Sequence, residues 1–376
     1  MGGRFAFINH YLDTKLFRDR IKIPFISRVS HNTVKDIIAL FPPYKYVDIG
    51  PIKSRSGSVV TGIGIACPLL PEHFVTLKAG RVLKKIVKAV EIGERYGANI
   101  VGLGGFTSVF GNEGEEVAKY TKLPLTSGNT YTAFLAVEGI VRSTKLMGRT
   151  LASSTVAILG ATGDIGSICT KILSKRVKRV ILVARNDQRL SRLQEQLELN
   201  SHCEVKICKS AGEAVREADI ILCVTSALTT IIEPTHLRSG AIVCDVAYPA
   251  NITREVAQLR QDIFVFEGGM SMLPGYAALA QSQKDKLEKF NPPGAIHGCL
   301  AETILLALDN RYVYFSFGRG NITEEAFDQI SKIAEKHGFG LAPFYCGNRF
   351  YSPDDIENIK RNVHAASGKT SIYGVN

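Results

Sequence analysis

The 376-residue sequence lacks any apolar run near the roughly 18 residues that a bilayer-spanning helix needs, so the chain is not expected to cross a membrane. Near the amino terminus, Phe5 to Ile8 is too short for the core of a secretion signal, and Ala6 stands where a myristoylation motif wants serine or threonine. Cytoplasmic residence with at most peripheral membrane contact is the expectation. The eight cysteines form no C-x-x-C pair and the eight histidines are dispersed, so no spacing supports a metal site. Several cysteines lie in apolar segments such as "IILCV" and "AIVCDV" and read as reduced, buried thiols. Repeats, low-complexity tracts, a helix-turn-helix and an aromatic RNA-binding motif are absent as well, which argues against nucleic acid as a partner.

What is present is a composition of 45 % hydrophobic and 22 % charged residues, enough for two packed domains. The net charge of +11 favours an acidic partner without naming it. The sharpest basic feature is "LKAGRVLKKIVKAVEIGERYG", where Lys78, Arg81, Lys85 and Lys88 share a helical stripe opposite Val82, Ile86, Val87 and Val90. That stripe is either a solvated helix face or a docking surface for an anionic partner.

From about residue 153 the pattern alternates. "TVAIL", "RVILVA", "EVKIC", "DIILCVTS", "AIVCDVA" and "IFVFEGG" read as six buried strands, the first three followed by helices at Gly166 to Ser174, "DQRLSRLQEQLEL" and "AGEAVREA". This predicts an α/β protein with a doubly wound parallel Rossmann domain over residues 151–290. A separate α/β substrate domain is expected over 1–150. Residues 291–376 would return to the amino-terminal domain and cross the cleft, ending in a short helix near "SPDDIENIKRNV".

"TVAILGATGDIGS" sets Gly160, Gly163 and Gly166 between a strand and a helix, where tight backbone and unpaired helix N–H groups suit a pyrophosphate. Thr162, Asp164 and Ile165 belong to the same loop. An NAD enzyme usually ends its second strand in an acidic residue that holds the ribose 2′-hydroxyl. Here Arg185 and Asn186 occupy that tip, with Arg189 one turn on, and a guanidinium suits a 2′-phosphate. NADPH is therefore the expected cofactor. Later strand ends extend the site to Thr225, Ser226, Ala247, Tyr248, Gly268 and Gly269.

Cys299 follows Pro292, Pro293, Gly294 and Gly298 and opens an apolar helix. There, free N–H groups would lower a thiol pKa and prepare a nucleophile, although most cysteines among leucine and alanine are packing residues. His297 could act as acid or base, or cap the helix. In "TSGNTYT", Thr126, Ser127, Asn129 and Thr130 could line an oxyanion site or cap the helix that follows. Cys67, in "ACPLLPEHF", is a rival thiol with no comparable helix start.

Several motifs then occur in order between about residues 65 and 340: "LPE" at Leu70, "LGGF" with Ser108, "GNT" with Thr132 and Ala133, "GATGDIGS", "ARN" with Arg189 and Leu190, Tyr248-Pro249, Gly268-Gly269, Cys299 with Ala301-Glu302, Phe315-Ser316 with Gly318-Arg319, and "KHGF" at Lys336. In these the chain resembles the cyanobacterial-type long-chain fatty acyl-acyl-carrier-protein reductases. The resemblance implies NADPH-dependent reduction of a fatty acyl thioester, acyl-carrier-protein or acyl-CoA, to a fatty aldehyde through an acyl group on Cys299. It also offers an acidic acyl carrier protein as partner for the basic stripe. Two other readings stay open: an NADP-dependent alcohol or ketone oxidoreductase of the shikimate dehydrogenase type, and a non-catalytic NADP(H)-binding regulator.

Overall fold

The strand "RFAFINH" is apolar on both faces, which suits the middle of a parallel sheet. In a computed structural model, which describes residues 2–20, 29–225, 232–247, 254–287, 291–347 and 349–370, this strand, β1 (Arg4–His10), takes that place. It joins β2 (Tyr44–Lys53), β3 (Val59–Cys67), β4 (Ile100–Leu103) and β5 (Leu125–Thr126) in the order β2-β3-β1-β4-β5. β1 runs parallel to both neighbours, and β2 is antiparallel to β3.

The second sheet contains β6 (Thr155–Leu159), β7 (Arg179–Val183), β8 (Glu204–Ile207), β9 (Ile220–Cys223), β10 (Ile242–Asp245) and β11 (Phe264–Glu267). Its order is β11-β10-β9-β6-β7-β8, and every pairing is parallel. Strand order reverses between β6 and β9, the switch point at which ligands collect in a Rossmann fold. β8 is less buried than expected, with Glu204 exposed, because it is an edge. The helix after the glycine loop begins at Asp164, two residues before Gly166.

Two helices join the sheets. Asn129–Leu146 sends Ala133, Ala136, Val137 and Ile140 into the Rossmann core beside Phe264 and Phe266, while Tyr131 and Leu135 enter the amino-terminal core. Gly298–Leu308 is buried on nearly all sides, as a helix apolar all round should be. It packs against β1, β3, β4 and Asn129–Leu146. Its start is fixed by a small antiparallel sheet of β12 (Met270–Met272), β13 (Ala295–His297) and β14 (Gly340–Leu341).

The carboxyl-terminal segment differs from the short helix expected. A hairpin of β15 (Tyr345–Cys346) and β16 (Arg349–Phe350) leads into a helix over Pro353–Thr370. Ile356 and Ile359 join the Rossmann core, and the Tyr351 hydroxyl donates to the Val265 carbonyl at 2.7 Å. The tail therefore covers the β11 side of the sheet, an edge that would otherwise present open strand groups.

The basic stripe also needs correction. On the helix Ala79–Tyr96, Lys78, Arg81 and Lys88 are exposed, but Lys85 is half-buried. Its Nζ donates to the carbonyls of Ile38, Ala39 and Pro68 at 3.4, 2.7 and 3.0 Å. Two of those carbonyls belong to the last turn of the helix His31–Leu40, where helical partners run out. Lys85 thus caps a neighbouring helix rather than facing a docking partner, and burial brings its pKa down to about 8. Lys85→Met keeps the aliphatic stem and removes the donors, so urea denaturation should show a loss of about 1–3 kcal/mol. Lys88→Met, at an exposed site on the same helix, should stay within about 0.5 kcal/mol of the parent.

Candidate active site

The carboxyl ends of both sheets border one cavity of about 250 Å³. Its walls include Phe7, Leu16, Tyr46, Val47, Ile49 and Leu287 on the amino-terminal side and Ile165, Val224, Thr225, Ala247, Gly268 and Gly269 on the Rossmann side. Asn129, His297 and Cys299 lie on the same surface, so all three residues singled out for chemistry meet there. Cys299 occupies the first turn of Gly298–Leu308.

That turn is held by close backbone contacts. A Cβ at Gly128, whose φ is +74°, would stand 2.1 Å from the Cys299 Cα, and one at Gly298 would stand 2.6 Å from the Thr132 hydroxyl. Gly298 N–H donates to the Gly269 carbonyl at 2.8 Å, which ties the cysteine turn to the end of the Rossmann sheet. The Gly268-Gly269 pair is small for packing as well, since a Cβ at Gly268 would meet the Cys244 sulfur at 2.4 Å.

Beneath the turn lies Glu302, whose side chain has no exposed surface. It accepts from the hydroxyls of Thr126 and Ser316 and from Tyr131 N–H at 2.7 Å. Burial still raises its pKa. The Thr130 hydroxyl is paired with Ser316, and the Ser127 hydroxyl donates to the Ser316 carbonyl at 2.6 Å. Thr126 and Thr130 therefore serve this network, while Ser127 both joins it and borders the cavity. The N-cap of the next helix is Gly128, which has no side chain to cap with, and the free N–H groups of Thr130 and Tyr131 donate instead to Ser316 Oγ at 2.9 Å and to Glu302. Asn129 remains at the cavity, its amide 3.5 Å from Asp164 Oδ2.

The thiol differs from the expected thiolate. Burial pushes the Cys299 pKa up to about 12, and the Glu302 charge adds to the rise. Backbone N–H groups at Leu300, Cys299 and Gly105 pull the other way without overcoming it. The helix start is real, but its field is outweighed by the removal of water. Cys67 offers no better nucleophile: it is fully buried at the end of β3, and burial raises its pKa to about 12 as well. His297 sits at the N-cap position without a side-chain capping bond. Burial lowers its pKa to about 4, so its imidazole is neutral at pH 7.

Sequence reasoning missed His10, Gly105, Glu113, Glu302 and Ser316 as parts of this site. His10 ends β1 and borders the cavity. Its position at a strand's carboxyl end was the available signal. Glu113 is buried beside Arg319, and burial reinforced by Asp164 raises its pKa to about 7.

On the cofactor side, Gly160 has φ +99°, and its Cβ would stand 2.9 Å from the Val224 carbonyl. A Cβ at Gly166 would stand 2.2 Å from the Gly160 carbonyl, so both glycines keep the loop close to β9 and the helix. Gly163 is exposed at the N-cap and Thr162 is half-buried, leaving an open cradle at a helix start that fits a pyrophosphate. Asp164 turns away from that cradle: it accepts from Gly320 N–H at 2.7 Å and clamps the 316–320 loop to the helix. Arg185 and Arg189 are exposed beyond β7. The Asn186 side chain accepts from Arg189 N–H at 2.9 Å and caps Asp187–Asn200. Ser226 and Tyr248 lie outside the described residues.

A thiol at about 12 gives a direct expectation. Alkylation of Cys299 by iodoacetamide, followed by peptide mass spectrometry, should be slow at pH 7 and still rising through pH 9, because the thiolate form grows with pH below its pKa. A rate that levels off near pH 7 would mark a preformed thiolate.

The chain is similar to several known proteins. A family model described as shikimate / quinate 5-dehydrogenase matches residues 143–267. The chain is 30% identical over 308 residues to the long-chain acyl-[acyl-carrier-protein] reductase of Synechococcus elongatus, covering 79% of this chain and 87% of that protein. It is 28% identical over 324 residues to the aminotransferase PigE of a Serratia species, covering 85% of this chain but only 37% of that longer protein. Among solved structures, shikimate 5-dehydrogenase from Listeria monocytogenes, in complex with shikimate and NAD, is 15% identical, covering 71% of this chain and 86% of that one with a TM-score of 0.35. The chain is an NAD(P)-dependent oxidoreductase of α/β fold that uses NADP(H), and it belongs to the long-chain acyl-[acyl-carrier-protein] reductase family.

Proposed function

We propose that this protein reduces a fatty acyl thioester to a fatty aldehyde with NADPH, holding the acyl group on Cys299 between the two half-reactions. The observation that carries the reading is the place of the sulfur, on a cavity with an apolar wall on one side and the Rossmann strand ends on the other. An alkyl chain fits against Phe7, Leu16, Tyr46, Val47, Ile49 and Leu287, and burial of each methylene favours binding by about 0.8 kcal/mol. The family relationship supports the same assignment.

In the first half-reaction the Cys299 sulfur bonds to the thioester carbon, the carrier's C–S bond breaks, and the carrier leaves as a thiol with the proton that Cys299 gave up. An acyl chain laid along the apolar wall would cover the acyl-cysteine and limit the access of water to it. The backbone N–H groups at Leu300 and Gly105 lie beside the sulfur and are the donors at hand for a developing oxyanion. NADPH, when bound, supplies hydride to the acyl carbon. The carbon–sulfur bond to Cys299 then breaks, and the thiolate regains a proton as the aldehyde leaves. Asn129, Ile165, Thr225, Ala247, Gly268 and Gly269 border the space on the cofactor side, while Gly160, Thr162, Gly163 and Gly166 would hold the pyrophosphate. His297, neutral and half-exposed to the cavity, shapes the wall and carries no charge. An acidic carrier suits the net charge of +11 and the exposed Lys78, Arg81 and Lys88. The shikimate-type match covers only residues 143–267 and so bears on cofactor binding, not on Cys299.

Intact-protein mass spectrometry with acyl-acyl-carrier protein and no NADPH should show one acyl adduct, absent from Cys299→Ala, and that variant should form no aldehyde. Aldehyde production at the parental rate by Cys299→Ala would end the proposal. Arg185→Ala should raise the Kd for NADPH roughly 10- to 100-fold, the value of one or two hydrogen bonds to a charged phosphate, and leave that for NADH nearly unchanged.

A further inference from the structure

Among the described residues, His10 combines burial, a fixed tautomer and an unused lone pair beside the site. Its Nδ1 lies 2.8 Å from the Tyr11 carbonyl. A carbonyl can only accept, so Nδ1 carries the proton and Nε2 is left as a bare acceptor. That Nε2 is buried and has no hydrogen-bond partner. An unpaired buried polar atom of this kind costs roughly 1–3 kcal/mol, so its presence beside the site calls for an account, and a catalytic role is one.

The surroundings hold the ring in place without satisfying it. Phe74 and Phe106 contact the imidazole edge-on, with centroids 5.4 and 5.6 Å away. On its open side stands Gly105, where a Cβ would fall 2.6 Å from Nε2. The N–H of that same glycine faces the Cys299 sulfur, so one residue without a side chain separates the base from the thiol. Both residues border the cavity. The other imidazole there, His297, comes from the strand leading into the cysteine helix.

We propose that His10 is the general base and acid of the acyl-transfer half-reaction, an inference that rests on the acyl-Cys299 reading above. The Cys299 proton passes to Nε2, directly or through one water, as the sulfur bonds to the thioester carbon. The carrier's C–S bond breaks, and the proton on Nε2 goes to the departing carrier sulfur. His10 returns to its neutral tautomer, no electrons change hands beyond the two bonds exchanged, and no other reactant is needed. This explains how a neutral, half-buried thiol can attack: the proton is removed during the reaction rather than in advance.

The test measures acylation of the full-length protein by hexadecanoyl-acyl-carrier protein without NADPH, following the adduct by rapid quench and intact mass. His10→Asn retains a donor for the Tyr11 carbonyl and loses the base, whereas His10→Gln keeps the bulk near Nε2. Both should acylate roughly 10²- to 10⁴-fold more slowly than the parent, the usual worth of a general base, with NADPH affinity and melting temperature unchanged. Folded variants that acylate at the parental rate overturn the assignment. If both variants melt abnormally, the parent decides the question: a solvent deuterium isotope effect above unity on acylation is expected, and its absence rejects a proton in flight. A parent that forms no adduct refutes the acyl-cysteine reading itself, whereas a parent that does, alongside fast variants, refutes only the role of His10.

Discussion

The carboxyl group of Glu302 is where three distant stretches of chain meet. It draws the Thr126 hydroxyl and Tyr131 N–H from one segment and the Ser316 hydroxyl from another onto the helix that carries Cys299. Placing a carboxyl where its side chain has no exposed surface is costly unless its oxygens are satisfied, and here hydroxyl and amide donors supply the partners. Because Glu302 follows Cys299 by three positions, the two lie on one side of the helix, and fixing the first fixes the rotation of the second. Gly128 and Gly298 allow the turn to reach its neighbours, since a side chain at either would collide with backbone or with Thr132. The cysteine is thus placed by a buried polar knot and two close backbone contacts, with the Rossmann sheet tied on through Gly269.

The same packing sets the chemistry. The desolvation that comes with placing the sulfur in this packed turn is what pushes the thiol to about 12. A preformed thiolate would need either water or a nearby positive charge, and the imidazoles at this cavity are themselves held neutral by burial. The arrangement therefore favours proton removal coupled to bond formation, with a neutral base waiting at the end of β1.

Much of this was legible in the sequence because it depends on local periodicity. The alternation after Thr155 encoded the parallel sheet, and the glycine spacing at Gly160, Gly163 and Gly166 marked its switch point. The helix over Gly298–Leu308 showed itself as continuously apolar. What escaped depends on distant contacts. Lys85 looked like a surface charge until the end of another helix came within 2.7 Å of it. Asn186 looked like a cofactor contact and is also a helix cap. The helix start at Cys299 suggested a lowered pKa, but desolvation comes from segments far away in the chain. His10 carries no motif of its own, and only the fold brings it beside Gly105 and the thiol.

The most direct measurement of the central claim is a single-turnover chase. Enzyme carrying one acyl group on Cys299, freed of carrier and excess thioester, is mixed with NADPH while aldehyde, NADPH absorbance and protein mass are followed together. One aldehyde formed for each NADPH consumed, with the protein returning to its unmodified mass, is the predicted result. An acyl-enzyme that stays intact in the presence of NADPH, while the free enzyme still turns over thioester, would mean that reduction bypasses Cys299 and would contradict the account.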